Sequence, residues 1–131
     1  MLKNIDPRLN ADVLYALRAM GHGDDLIAAM EAVHHVHVSD TFVEHVVNLV
    51  NLTRNHPQIE LGCSPRAGIS IIRASRARAV IHGRDYVIPE DLFALAEDVI
   101  LHRIRLTYEA VADGYTGPQV LQALLERMGR E

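Results

Sequence analysis

The residues best placed to do chemistry in this chain centre on Arg66, within Leu61-Gly62-Cys63-Ser64-Pro65-Arg66-Ala67. Glycine permits a tight loop, serine suits a helix N-cap, and proline suits the first helical position because it has no N–H to leave unpaired. A helix beginning at Pro65 would hold the Arg66 guanidinium on a fixed turn. That end of a helix is electropositive, so a cation there is locally unfavourable. Arg66 therefore reads as a side chain serving an anion outside its own helix, a carboxylate or a phosphate. Ser64 and Pro65 are its supports, and Arg73 falls on the same side two turns later. The competing reading is a surface arginine paired with a neighbouring Glu or Asp.

Three other groups invite a chemical reading. Met20-Gly21-His22-Gly23-Asp24-Asp25 sets a histidine between glycines, with carboxylates two and three residues on. The imidazole would be exposed and Asp25 could orient it for proton transfer; an ordinary loop histidine is the alternative. Cys63 is the sole cysteine and no histidine is placed beside it, so it reads as a small core or loop residue rather than a nucleophile. His34, His35, His37 and His45 cluster in sequence. Zinc needs three or four converging ligands, and no acid or thiolate lies at ligand spacing, so solvated or core-edge histidines and no metal site are expected. No glycine loop ending in Lys-Ser/Thr is present, nor a strand ending in paired acids for magnesium. Nucleotide hydrolysis by this chain alone is not expected.

The elements that must position these residues read as helices almost throughout. Asn10 caps a first helix carrying Val13, Leu14, Leu17 and Met20, which Gly21 ends. Asp24 and Asp25 start a second, through Leu26, Ile27, Met30 and Val33. Ser39 caps a third, in which Val43, Val46, Val47 and Val50 should form one buried face. These β-branched residues are mediocre helix formers, so packing must hold them. Asn55-His56-Pro57 breaks that helix, and Ile59 and Leu61 should tuck the next loop onto the core. The Pro65 helix should run to His82 and stop at Gly83. Gly68, Ile71, Ile72, Ser75 and Ala79 share one face, and Arg66, Arg73 and Arg76 gather on another. After an extended Arg84-Asp85-Tyr86-Val87, Pro89 opens a helix whose dipole Glu90 and Asp91 suit. Leu92, Leu95, Ala96 and Val99 form its inner face, and it ends in the basic His102-Arg103-Ile104-Arg105. A last helix from Pro118 carries Val120, Leu121, Leu124 and Leu125.

At 131 residues the chain holds one domain, or a small domain with an appendage. Its net charge of -4 gives no case for general nucleic-acid binding. Tryptophan is absent, so the core must be aliphatic. A lone cysteine excludes an internal disulfide and fits a reducing compartment. No apolar run approaches the ~18 residues of a membrane span, and the N-terminus has no signal-peptide pattern. A cytoplasmic chain that binds neither membrane nor nucleic acid is expected.

Five segments then resemble, in order and spacing, the C-terminal lid subdomain of MoxR-type AAA+ ATPases. They are Val36-His37-Val38-Ser39, Leu49-Val50-Asn51-Leu52-Thr53-Arg54, Leu61 to Ala67, His82-Gly83-Arg84-Asp85-Tyr86-Val87-Ile88-Pro89-Glu90-Asp91-Leu92, and Val99-Ile100-Leu101-His102-Arg103-Ile104. The likeness covers about residues 30–128. It implies an all-α fold, a small helical bundle of AAA+ lid type with an N-terminal helical arm. It also implies a non-catalytic role in which Arg66 is the nucleotide-sensing arginine, reaching ATP phosphates on a separate core and coupling nucleotide state to assembly. The chain would bind no cofactor alone, and ATP and magnesium only with an ATPase core in cis or trans; its oligomeric state stays open. This sequence departs from that pattern in lacking the core, in Cys63 where the family shows a small residue such as Ala, and in Ile88 where it shows a capping Thr or Ser. The last change should weaken that helix start by about 1 kcal/mol.

Residues 1–28 resemble something else, the opening of the ribose pyranase/fucose mutarotase (RbsD/FucU) family, in Met1-Leu2-Lys3-Asn4-Ile5 and Gly21-His22-Gly23-Asp24-Asp25. That likeness implies His22 as a catalytic acid/base in sugar ring opening. The resulting division is a mutarotase-like segment over residues 1–29 and a lid over residues 30–131. A sugar mutarotase and a ligand-free helical interaction module are the alternatives to the lid function.

Overall fold

A computed structural model describes residues 23–129. Their elements are α1 (Gly23–His34), α2 (Asp40–Arg54), β1 (Ile59–Leu61), α3 (Pro65–Ile81), α4 (Pro89–Ile100), a 3-10 turn (Leu101–Arg103), β2 (Arg105–Leu106), α5 (Tyr108–Ala112) and α6 (Gly117–Met128). The helix expected behind Asn10 lies outside the described residues. The rest is an all-α bundle with one two-stranded clip.

Local chemistry sets most helix ends. Ser39 is extended, and its Oγ accepts the Phe42 N–H at 3.2 Å, which satisfies one of the donors a helix start leaves unpaired. α3 stops where expected, at Gly83, whose φ of +70° suits a residue without a Cβ. Thr107 caps α5 through its Oγ1, which takes the Ala110 N–H at 3.1 Å.

α3 lies at the centre, packed against α1, α2 and α4. The core gathers Val46, Leu49, Ile71, Leu92, Ile100 and Leu121, all shielded from solvent. α6 buries Val120, Leu121, Leu124 and Leu125, the face its spacing indicates. α4 buries Leu92, Ala96 and Ile100, with Leu95 and Val99 half-buried. α2 departs from expectation. Its buried stripe is Phe42, Val46, Leu49, Val50 and Thr53, while Val43 is 36% and Val47 52% exposed. The four valines straddle two sides of the helix, and only one side meets the core.

Antiparallel pairing sets Ile59 opposite Leu106 and Leu61 opposite Arg105, with an irregular register between them. The basic segment read as the end of the α4 helix is instead a 3-10 turn leading into β2. Arg105 Nε there donates to Glu60 Oε2 at 3.0 Å. Ile59 is buried against Val120 and Leu124 as expected. Leu61 is exposed instead, because so short a strand has one covered face and the irregularity turns Leu61 away from it. An isolated parallel bridge joins His37 to Tyr86, through His37 N–H to Asp85 O at 2.7 Å and Val87 N–H to His37 O at 3.0 Å.

His56, half-buried after α2, accepts the Gln58 N–H on Nδ1 at 3.2 Å. Burial, and then the charge of Arg127, lower its pKa from the ordinary 6.5. The fold thus favours the neutral ring. Its contribution to stability is present above pH 6.5 and is lost as pH falls through the folded value. An NMR titration is expected to place the His56 midpoint below 6.5, with Arg127→Gln moving it upward; a midpoint above 6.5 would contradict this.

Candidate functional site

The start of α3 is fixed from behind by the last turn of α2. Thr53, fully buried, donates its hydroxyl to Val50 O at 2.7 Å and accepts the Cys63 N–H on Oγ1 at 3.0 Å. One residue earlier, a Cβ at Gly62 would lie 2.6 Å from both Thr53 O and Arg54 Cα. The loop backbone therefore lies directly against the α2 backbone. Cys63 points into the core. Burial pushes its thiol pKa up despite the Thr53 hydrogen bond and the Arg103 charge, which suits a packed residue and not a nucleophile.

Ser64 occupies the N-cap position with extended backbone and Pro65 follows at the first helical position, but the Ser64 hydroxyl makes no capping bond. The N–H three residues on, that of Ala67, donates to the Ser64 carbonyl at 2.9 Å instead. The hydroxyl is left to solvent. Arg66 is the second helical residue and is exposed, and the first turn of α3 has no acid. Among the described residues the ion pairs are Arg78–Asp91, Arg84–Asp91 and Arg105–Glu60. Arg66 joins none of them, so no carboxylate among the described residues occupies it.

Arg73 is also exposed, two turns along. Arg76, grouped with these two on sequence, is half-buried, and its shielded Nε has no hydrogen-bond partner. Beside the Arg66 face runs an apolar groove of about 300 Å³ between α2 and α3, walled by Val43, Val47, Pro65, Ile69 and Ile72. A second cavity of about 370 Å³ opens at the loop, between Arg54, Glu60 and Ser64.

A second cluster was not legible in the sequence. Asp91, read in the sequence only as an acid that suits the helix dipole, is fully buried. Arg84 grips it with two parallel bonds, Nη2 to Oδ1 at 2.8 Å and Nη1 to Oδ2 at 3.0 Å. The Ile88 N–H donates to Oδ2 at 3.0 Å, and Arg78 Nε stands 3.1 Å from Oδ1 without hydrogen-bond alignment. Burial alone would raise the Asp91 pKa; the Arg84 and Ile88 hydrogen bonds and the two arginine charges outweigh it, and the net shift is downward. Ile88 has no acceptor of its own, yet its helix start is not left open. The Asp91 carboxylate takes the Ile88 N–H, and the Asp91 N–H meets Ile88 O at 3.0 Å. The available signal was half of a capping box, an acid three residues after the N-cap. This cluster ties the end of α3 to the start of α4 and offers nothing reactive to solvent.

His22 lies outside the described residues, and Asp25 falls in the first turn of α1. Among the described residues, no three His, Cys, Asp or Glu side chains converge as metal ligands. No helix among them is long and apolar enough to cross a membrane.

Comparison with known proteins places this geometry. Over 102 residues the chain is 36% identical to the uncharacterized protein YeaC of Bacillus subtilis, covering 78% of this chain and 32% of that protein. Over 109 residues it is 39% identical to the chaperone MoxR1 of Mycobacterium tuberculosis, covering 76% of this chain and 28% of that one. The chain thus spans about a third or less of these curated relatives. The crystal structure of a candidate ATPase from Cytophaga hutchinsonii superposes on it with a TM-score of 0.73 at 27% identity, over 95% of this chain and 43% of that one. Residues 51–124, which hold the Thr53 clamp, the start of α3 and the Asp91 cluster, match the family model of the AAA lid domain. On that match the chain belongs to the AAA lid domain family.

Proposed function

We propose that this chain is the lid of a MoxR-type AAA+ ATPase and presents Arg66 to the phosphates of ATP bound on a separate core. One observation carries the reading: an exposed guanidinium with no acid partner among the described residues, on the second residue of a helix whose start is clamped by Thr53 and Gly62. A cation fixed in this way can meet charge that develops during phosphoryl transfer without reorganising. The likeness to the chaperone MoxR1 supports the family of the partner.

The residues around Arg66 fit an anion and not a metal. The one acid on the neighbouring cavity, Glu60, is engaged by Arg105. Magnesium would therefore accompany ATP on the core, and this chain is non-catalytic alone. Arg73 adds positive potential behind Arg66, and the groove of Val43, Val47 and Ile69 supplies apolar surface for docking to the core. Because the clamp ties the loop at the start of α3 to α2, a phosphate held by Arg66 would pull on both helices, which would couple nucleotide state to assembly. Such a lid works where ATP and its core are, in the cytoplasm.

Mixed with a MoxR-type core from which the lid has been deleted, this chain should restore ATP hydrolysis. Arg66→Ala should lower the restored rate by about 100-fold, and Arg73→Ala by less. Restoration that is indifferent to Arg66 would overturn the sensing role.

A further inference from the structure

We propose that Arg54 is a second phosphate-binding cation of the same site, so that a polyphosphate meets two guanidinium groups carried by two different helices. The inference rests on the reading of Arg66 given above and deepens it. Arg54 is the last residue of α2 and is exposed. It takes part in none of the ion pairs among the described residues. It lines both the apolar groove and the loop cavity, and the residue it shares with both is Pro65, the neighbour of Arg66.

The fold fixes the relation between the two helices. The contact at Gly62 is made with the backbone of Arg54 itself, 2.6 Å from its Cα to where a Cβ would stand. Thr53, the preceding residue, holds the Cys63 N–H at 3.0 Å. The end of α2 at Arg54 is thus held against the loop that leads to Arg66, while both side chains stay in solvent. Two exposed guanidinium groups on backbones fixed to one another, neither in an ion pair among the described residues, suit an anion that joins them. Glu60, the one carboxylate lining the cavity, is occupied by Arg105 at 3.0 Å. The end of α2 suits a cation, but its Asn51 carbonyl is already taken by the Asn55 backbone and side-chain amides, at 3.1 and 2.9 Å. Arg78 and Arg84 show the opposite arrangement, two arginines sharing one buried carboxylate. A chain of phosphates would give each of two guanidinium forks on separate helices its own set of acceptor oxygens.

The full chain titrated with inorganic tripolyphosphate, followed by the arginine Nε–H signals in ¹⁵N NMR, tests this directly. The Arg54 and Arg66 signals should move together with one affinity, while that of Arg84 stays fixed by Asp91. Tripolyphosphate should bind about tenfold more tightly than inorganic monophosphate. Arg54→Gln should abolish that preference as read at Arg66, and Arg54→Lys should recover part of it. A response at Arg66 alone, with an affinity indifferent to Arg54→Gln, would overturn the inference and leave the Arg66 reading standing. No response at either arginine would overturn both. Movement of all exposed arginines equally would show screening by a polyanion and would also overturn it.

Discussion

Asp91→Ala is expected to cost this domain about 3 kcal/mol, read as a lowered midpoint in urea or thermal denaturation. The carboxylate is fully buried, while the Arg84 side chain is 19% and the Arg78 side chain 35% exposed. The arginines therefore keep some hydration when their partner is removed, which holds the loss toward the low end for a broken buried pair. The alanine variant also leaves the Ile88 N–H without its acceptor, so the start of α4 loosens together with the end of α3.

The pH dependence has a definite sign. The folded pKa of Asp91 lies below the ordinary 3.8, because the Arg84 and Ile88 bonds and the arginine charges outweigh the opposing effect of burial. Its contribution is therefore complete above about pH 4 and disappears as pH falls through the folded value. Wild-type stability should drop on that acid limb, and Asp91→Asn should flatten it. A loss under 1 kcal/mol in the alanine variant, or an acid limb unchanged by the asparagine, would contradict the assigned role.

Gly62→Ala has the second largest expected effect, about 2–3 kcal/mol from overpacking against atoms that cannot step aside. The neighbours at 2.6 Å are Thr53 O and Arg54 Cα, both backbone atoms of α2, so relief requires the loop to move off the helix. That movement breaks the Cys63 N–H bond to Thr53 and tilts the start of α3. The variant should therefore lose stability and the tripolyphosphate response together. Thr53→Val, which keeps the shape and loses the acceptor, should reproduce the second effect with a smaller first. A Gly62→Ala protein as stable as the parent would show that the loop does not bear on α2.

Much of this fold was legible one element at a time, because helix ends are local chemistry. Ser39, Pro65, Gly83, Pro89 and Pro118 mark boundaries within a residue or two of where they fall. The aliphatic face of α6 was readable because it buries a single stripe. What escaped was settled between elements. An acid at position 91 looks like any first-turn acid until Arg78, near the end of α3, and Arg84, in the segment after it, arrive. Val43 and Val47 share the spacing of Val46 and Val50, and only the placement of α3 decides which pair meets the core. Strands of two and three residues carry no period to detect. The Ser64 hydroxyl went unused because the same N–H had a backbone carbonyl within reach.

The candidate site divides in the same way. Arg66 was visible as a cation on a proline-initiated turn, and its exposure follows from the helix register. Arg54 was not, since nothing near it in sequence says that the loop after it doubles back to set Pro65 at its side. That proximity is created by Gly62 and Thr53.

The role of Arg66 is tested by the affinity of a lid-deleted MoxR-type core for ATP and for AMP, by calorimetry, in the presence of this chain or its Arg66→Ala variant. ATP binding should be about tenfold weaker with the variant and AMP binding unchanged, because Arg66 would address the outer phosphates. Equal ATP affinity with both forms of the chain, under conditions where both associate with the core, would contradict it.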